Sequence, residues 1–187
     1  MTIYFTGRGD KGKSDMGAKK IEKDDPLFEA LGSLDELNSW IGYCRTDVTL
    51  QNLKLKNVQH QLKSIQETLF IAQAELAMMG MERRKNIKYQ ISNIKTKQLE
   101  EEIIKIDKAV PQIKQFIIPG ASELSAKLDL ARAFARRVER AFVAYNRKHP
   151  LNPDLLQYLN RLSSILFAHA RFVNVVLKKK EENPSYK

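Results

Sequence analysis

Arg132, Arg136, Arg137 and Arg140 fall within nine residues of one another. They belong to the stretch Ser125–Arg140, which reads SAKLDLARAFARRVER. At about 100° per residue of a helix, Ser125, Asp129, Arg132, Arg136 and Glu139 share one narrow arc. Leu124, Ala131, Phe134, Ala135, Val138 and Phe142 fall on the roughly opposite side, which reads as core. Arginine carries a planar fork of donors that fits phosphate or carboxylate in a bidentate manner. A solvated face would more often mix Lys and Glu four residues apart. Two readings fit the stripe: a solvated or interfacial ion-pair face, and a phosphate site.

A second candidate lies at the start of the chain. Gly7, Gly9, Gly12 and Gly17 are half of the eight glycines, interleaved with Thr6, Arg8, Lys13, Ser14 and Lys19. Closely spaced glycines let backbone N–H groups converge on an anion, and the basic side chains add charge. The alternative is a solvated flexible tail. The segment is not a Walker A loop: Gly12-Lys13-Ser14 has the residue types, but the earlier glycine spacing and a preceding strand are wrong or missing.

Five helical patterns must position these residues. The first runs from about Asp25, a cap followed by Pro26, to Cys44, with Leu27, Leu31, Leu34, Leu37 and Ile41 inward and Asp35, Glu36 and Asn38 interrupting. Asp35 reads as a surface acid or as the buried partner of a cation on another helix. The second runs from about Leu53 to Met79 and ends at Gly80; residues 81–94 read as a loop. The third covers about Thr96–Ala109. Phe116–Gly120 is a short apolar connector closed by a turn. The arginine-bearing fourth helix follows Gly120 and ends near Lys148, before Pro150. Asn152 and Pro153 open the fifth, where Asn160 sits among the apolar positions and needs partners. No strand pattern and no internal repeat appears. The fold class is all-α, a five-helix up-and-down bundle in one domain: residues 1–24 the glycine-rich N-terminal segment, 25–177 the bundle, 178–187 a charged tail.

The 187 residues suit a single domain with a sizeable core. A net charge of +10 favours an anionic partner. No apolar run approaches the roughly 18 residues of a spanning helix, so no membrane role is expected. The start lacks a signal-peptide apolar region, and a lone cysteine, Cys44, fits a reducing cytoplasm. His60, His149 and His169 lack ligand partners at short spacing, so no protein-built metal site is expected.

Four blocks, in order along nearly the whole chain, resemble the PduO-type cobalamin adenosyltransferases. Thr6-Gly-Arg-Gly-Asp-Lys-Gly-Lys-Ser14 is similar to the family's T-x-x-G-D-x-G-x-T/S loop. Gly32-Ser-Leu-Asp-Glu-Leu-Asn-Ser39 is similar to G-x-x-D-E-L-N-S. Phe116-Ile-Ile-Pro-Gly120, Leu128-Asp-Leu-Ala-Arg132 and Arg136-Arg-Val-Glu-Arg140 resemble F-I-L-P-G-G, L-H-x-A-R and R-R-A-E-R. Tyr158-Leu-Asn-Arg-Leu-Ser163, Leu166-Phe167 and Ala170-Arg171 complete the set. Each block alone is weak; the four in order are specific.

The resemblance implies a homotrimer with active sites between subunits, transferring the 5′-deoxyadenosyl group of ATP to cob(I)alamin and releasing triphosphate. It implies that Thr6, Gly7, Arg8, Gly9, Lys13, Ser14 and Lys19 wrap ATP. Arg136, Arg137, Glu139, Arg140 and Asn160 would hold its phosphates and sugar. Arg132 would pair with Asp35 across the interface, near the reacting centre, and Phe116 would lie under the corrin. Mg²⁺ would be held by ATP oxygens and water. A cob(II)alamin reductase and an adenosylcobalamin-dependent client enzyme are further implied partners. A cobalt nucleophile removes the need for a Ser, Cys or His nucleophile or a general base. Three positions depart from the pattern: Ala121 for the second glycine, Asp129 for the histidine, and Thr6-Gly7-Arg8 in the loop. The rival readings are a basic helical protein that binds nucleotides or nucleic acid without catalysis, and a relative that has lost catalysis. Against nucleic acid, the arginine stripe is interleaved with Asp129 and Glu139, and aromatic residues do not alternate with the basic ones.

Overall fold

The computed structural model describes residues 4–81 and 90–186. Its elements in order are β1 (Lys13–Met16), β2 (Lys19–Glu22), α1 (Pro26–Arg45), two short 3₁₀ turns (Val48–Gln51 and Leu53–Leu55), α2 (Lys56–Gly80), α3 (Asn93–Asp107), α4 (Glu123–Asn146) and α5 (Pro153–Val176). Side by side, the helices pack in the series α2–α1–α4–α5–α3. The five-helix bundle is therefore as expected, with α4 between α1 and α5. Most of the expected loop at 81–94 lies outside the described residues.

Local chemistry sets the helix starts. Asp25 caps α1, its carboxylate accepting from Leu27 N at 2.8 Å, and Pro26 follows in the first turn. Asn152 and Pro153 do the same for α5, with Asp154 N donating to Asn152 Oδ1 at 3.0 Å. Ser122 and Ser125 form a reciprocal capping box on α4. Ser125 is consequently fully buried at the helix start and is not part of the cation stripe, as the arc had placed it. Leu34, Leu37, Ile41, Leu128, Ala131, Leu162, Ile165 and Leu166 close the core at the α1–α4–α5 contacts.

The absence of strands was a wrong expectation. β1 and β2 pair antiparallel, Lys13 opposite Glu22 and Met16 opposite Lys19, around a tight turn at Gly17 (φ +65°). Met16 is the hairpin's buried side chain and packs where α1 passes the end of α2. Gly80 lies there too. A Cβ at Gly80 would come within 2.6 Å of Leu27 Cδ2, so the glycine permits close approach and does not terminate the helix by a left-handed turn.

The charged tail is likewise not a free tail. Arg171, almost buried on α5, pairs with Glu181 at 3.3 Å and donates to Pro111 O at 2.8 Å. Asn174 Nδ2 donates to Glu181 Oε1 at 3.2 Å. Ile118 N then donates to Glu182 O at 2.8 Å, and Asn183 Nδ2 to Phe116 O at 2.7 Å. The chain end thus clasps the connector that carries Phe116. Glu181→Ala is expected to release it: exchange protection of the Ile118 amide falls by about tenfold or more, measured by hydrogen exchange. Unchanged protection there would show that the clasp does not depend on the carboxylate.

Lys127 sits between Asp47 (2.9 Å) and Glu123 (2.8 Å), tying α4 to the turn after α1. Burial opposes ionisation of Asp47, but hydrogen bonds from Thr49 and Lys127 prevail and hold its carboxyl below the ordinary range. Next to them, burial pushes the Cys44 thiol up to about 12, which makes it a packing residue.

His169 is fully buried on α5, and neither ring nitrogen has a hydrogen-bond partner. Burial lowers its pKa from 6.5 to about 4. The native state therefore holds the neutral ring while the unfolded chain takes a proton. Stability is full above pH about 6.5 and falls as pH drops toward 4, by roughly 3 kcal/mol in total. Urea unfolding of the wild type and His169→Leu at pH 7 and pH 4.5 checks this. The variant should lose much of that acid sensitivity, and an identical pH slope in both would refute it.

Candidate active site

α4 carries the site because its outer face borders the same clefts as the middle of α5 and the connector that precedes α4. Arg132 sits one turn after Asp129, whose Oδ1 accepts from Arg132 Nε at 2.9 Å. The guanidinium of Arg132 lies 5.9 Å from the Phe167 ring centre. One turn on is Arg136, exposed, and beyond it Glu139 and Arg140. Glu139 Oε1 accepts from Asn160 Nδ2 at 2.6 Å, and Asn160 Oδ1 accepts from Arg161 Nη1 at 2.5 Å. Asn160 is thus exposed on the α4-facing side of α5 and not a core position, though it has the partners its type requires.

Two clefts line this face. The first, about 930 Å³, is walled by Phe116, Ile117 and Phe167 with Arg132, Arg136 and Tyr186. The second, about 640 Å³, is walled by Arg136, Glu139, Arg140, Arg147 and Asn160. Arg136, Ser163 and Ser164 border both. A largely apolar chamber therefore opens, across one arginine and two hydroxyls, onto a cationic groove. Arg147, Ser163, Ser164, Phe167 and Tyr186 were not among the expected site residues. Arg147 was findable, since it lies within about 20° of Arg136 on the helical arc. The serines and the chain-end tyrosine carry no such signal.

The other expected residues lie elsewhere in the chain. Arg137 turns toward α1, where it pairs with Glu36 and stacks 4.8 Å from the Phe134 ring centre. Asp35 is exposed on α1 and lines neither cleft. The same is true of the N-terminal loop. There Gly7 (φ +69°) and Gly12 (φ +78°) bracket two turns, Asp10 N to Gly7 O at 3.4 Å and Gly12 N to Gly9 O at 3.3 Å. Arg8 N donates to Thr6 Oγ1 at 3.4 Å, Gly9 packs on the Lys23 side chain, and Lys13 pairs with Glu22 at 2.7 Å. Ser14 lies opposite Ile21 and Lys19 opposite Met16, two positions apart in the hairpin register. The loop is a folded turn-and-hairpin unit, not a flexible tail. Among the described residues no three His, Cys, Asp or Glu side chains gather to hold a metal, and no helix is long and apolar enough to cross a membrane.

The family model for cobalamin adenosyltransferase matches residues 4–173. The chain belongs to the cobalamin adenosyltransferase family. A corrinoid adenosyltransferase of Bacillus subtilis (strain 168) is 35% identical over 170 residues, covering 91% of this chain and 86% of the relative. One from Citrobacter freundii is 35% identical over 174 residues, covering 91% and 94%. A variant of the PduO-type ATP:corrinoid adenosyltransferase of Lactobacillus reuteri, solved in complex with cobalamin and ATP, superposes with a TM-score of 0.88 at 34% identity, covering 97% of this chain and 96% of that one. The four sequence blocks and the adenosyltransferase bundle thus agree.

Proposed function

We propose that this adenosyltransferase moves the 5′-deoxyadenosyl group of ATP onto the cobalt of a reduced corrinoid, cob(I)alamin, releasing triphosphate. The observation that carries the reading is the pair of adjoining clefts meeting at Arg136. The reaction needs that pairing: a chamber from which water is excluded for a low-valent metal, and beside it a cationic groove for a polyanionic leaving group. The cobalt(I) electron pair forms the Co–C5′ bond. The C5′–O bond breaks, and its pair leaves on triphosphate. Arg136, Arg140 and Arg147 offset that charge, and Phe116 and Phe167 wall the corrin side. Glu139, held by Asn160, suits a ribose hydroxyl. Among the described residues no cluster of acids gathers to hold a metal, so Mg²⁺ would ride on ATP oxygens and water.

The N-terminal loop and Asp35 complete the site from a neighbouring copy, in a trimer. Supporting this, neither lines the clefts within one chain, while the loop has the glycine turns and cations suited to phosphate. The protein works beside a reductase that supplies the low-valent corrinoid and an enzyme that consumes adenosylcobalamin.

The test is an anaerobic optical assay with chemically reduced cob(I)alamin, ATP and Mg²⁺. Loss of the cob(I)alamin band, appearance of adenosylcobalamin and stoichiometric triphosphate are expected. ATP binding without any turnover would overturn the reading.

A further inference from the structure

We propose that Asp129 is a positioning residue that sets the working orientation of Arg132; this rests on the adenosyl-transfer reading of the larger cleft. The carboxylate takes the Nε–H of Arg132 at 2.9 Å, and among the described residues of one chain neither Nη group is tied by a hydrogen bond, which leaves that edge of the fork to substrate and to the neighbouring copy. Asp129 is only 13% exposed and Arg132 30%. The pair is therefore sheltered, where such a bond holds geometry better than at a wet surface. Arg132 borders both the 930 Å³ cleft and a 40 Å³ pocket behind it, whereas Asp129 borders the rear pocket alone. The acid thus holds the arginine from behind, Phe167 flanks it at 5.9 Å, and the double-donor edge is presented forward. An arginine has many rotamers, and fixing one in advance removes the ordering cost from the reaction step.

The position is specific to this chain's pattern, since the resembling motif carries histidine there. A protonated ring has no acceptor for the Nε–H, and a neutral one offers a single nitrogen set farther from the backbone, where the short carboxylate places an oxygen within reach. Asp129 therefore gives Arg132 a carboxylate partner that the motif's histidine does not supply.

The experiment is a double-mutant cycle in the anaerobic cob(I)alamin assay, with kcat and KM for ATP read separately. Asp129→Ala is expected to lower kcat by about tenfold with KM for ATP changed less than about threefold. Asp129→Asn keeps the acceptor and should recover most of kcat. In the Arg132→Ala background Asp129→Ala should cost nothing further, because the residue it orients is gone. Wild-type kcat in Asp129→Ala, an Asn variant as impaired as Ala, or additive losses in the cycle would each overturn the proposal. Asp129→Ser, a second short replacement, guards against a folding defect peculiar to Ala. An inactive wild type would instead condemn the adenosyl-transfer reading itself.

Discussion

Arg132→Ala is expected to lower kcat for adenosylation of cob(I)alamin by roughly 100- to 1,000-fold, the cost of removing one preorganised charge from a reaction centre. The bundle should survive. Arg132 is 30% exposed on α4, its partner Asp129 is one turn away on the same helix, and alanine favours helix. Far-UV circular dichroism and the unfolding midpoint should stay near wild type while turnover collapses. The size follows from position. Arg132 walls the apolar chamber beside Phe116 and Phe167, where the surroundings screen charge poorly. Arg136, by contrast, is exposed where the chamber meets the groove, so its loss should appear more in KM for ATP. Turnover of Arg132→Ala within about threefold of wild type would remove Arg132 from the reacting centre and leave the ion pair a structural staple.

How far the sequence could be read depended on the range of the interaction. The five helices were legible because each buries a stripe at the 3.6-residue period, and Asp25, Pro26, Asn152 and Pro153 mark their starts. The hairpin was not. KSDM and KKIE are four-residue strands with one apolar residue each, Met16 buried and Ile21 half-buried against the core, so no alternation exists to be seen. Ser125 was misplaced because an angular arc treats every turn alike, whereas a capping box draws its N3 side chain inward. The tail was misjudged for a related reason. A charged run looks solvated until Arg171, buried ten residues earlier, is found to need Glu181. The arginines of the site were visible as a stripe, but which of them face the clefts was not. Arg136 and Arg137 are neighbours in sequence. One borders both clefts, and the other is turned to Glu36 on α1, as the 100° step between adjacent helical residues dictates.

Phe116→Ala is the second large effect expected, and it depends on the starting oxidation state. Phe116 is 79% exposed, on a connector held through its backbone by Asn183 and Glu182. Its side chain contributes little to the fold, so stability should change by no more than about 0.5 kcal/mol. An aromatic ring held so open against the mouth of an apolar chamber costs exposed apolar surface unless something covers it, and the corrin is what the proposed chemistry brings there. With a corrin seated on it as proposed, the Phe116 ring would keep water from that side of the metal. That would disfavour five-coordinate cobalt(II) and make its reduction easier. From chemically reduced cob(I)alamin, where the reduction is already done, the variant should lose only a few-fold in rate, by the loss of one packing contact. From cob(II)alamin with a mild reductant it should lose about tenfold or more, equivalent to about 1.4 kcal/mol or more of barrier. Optical or paramagnetic resonance spectra of the cobalt(II) form with ATP bound give the direct reading. A four-coordinate signal as strong in Phe116→Ala as in wild type would mean that water is excluded by the rest of the chamber, with Phe167 the aromatic to change next, because it lines the same chamber and lies 5.9 Å from the Arg132 guanidinium.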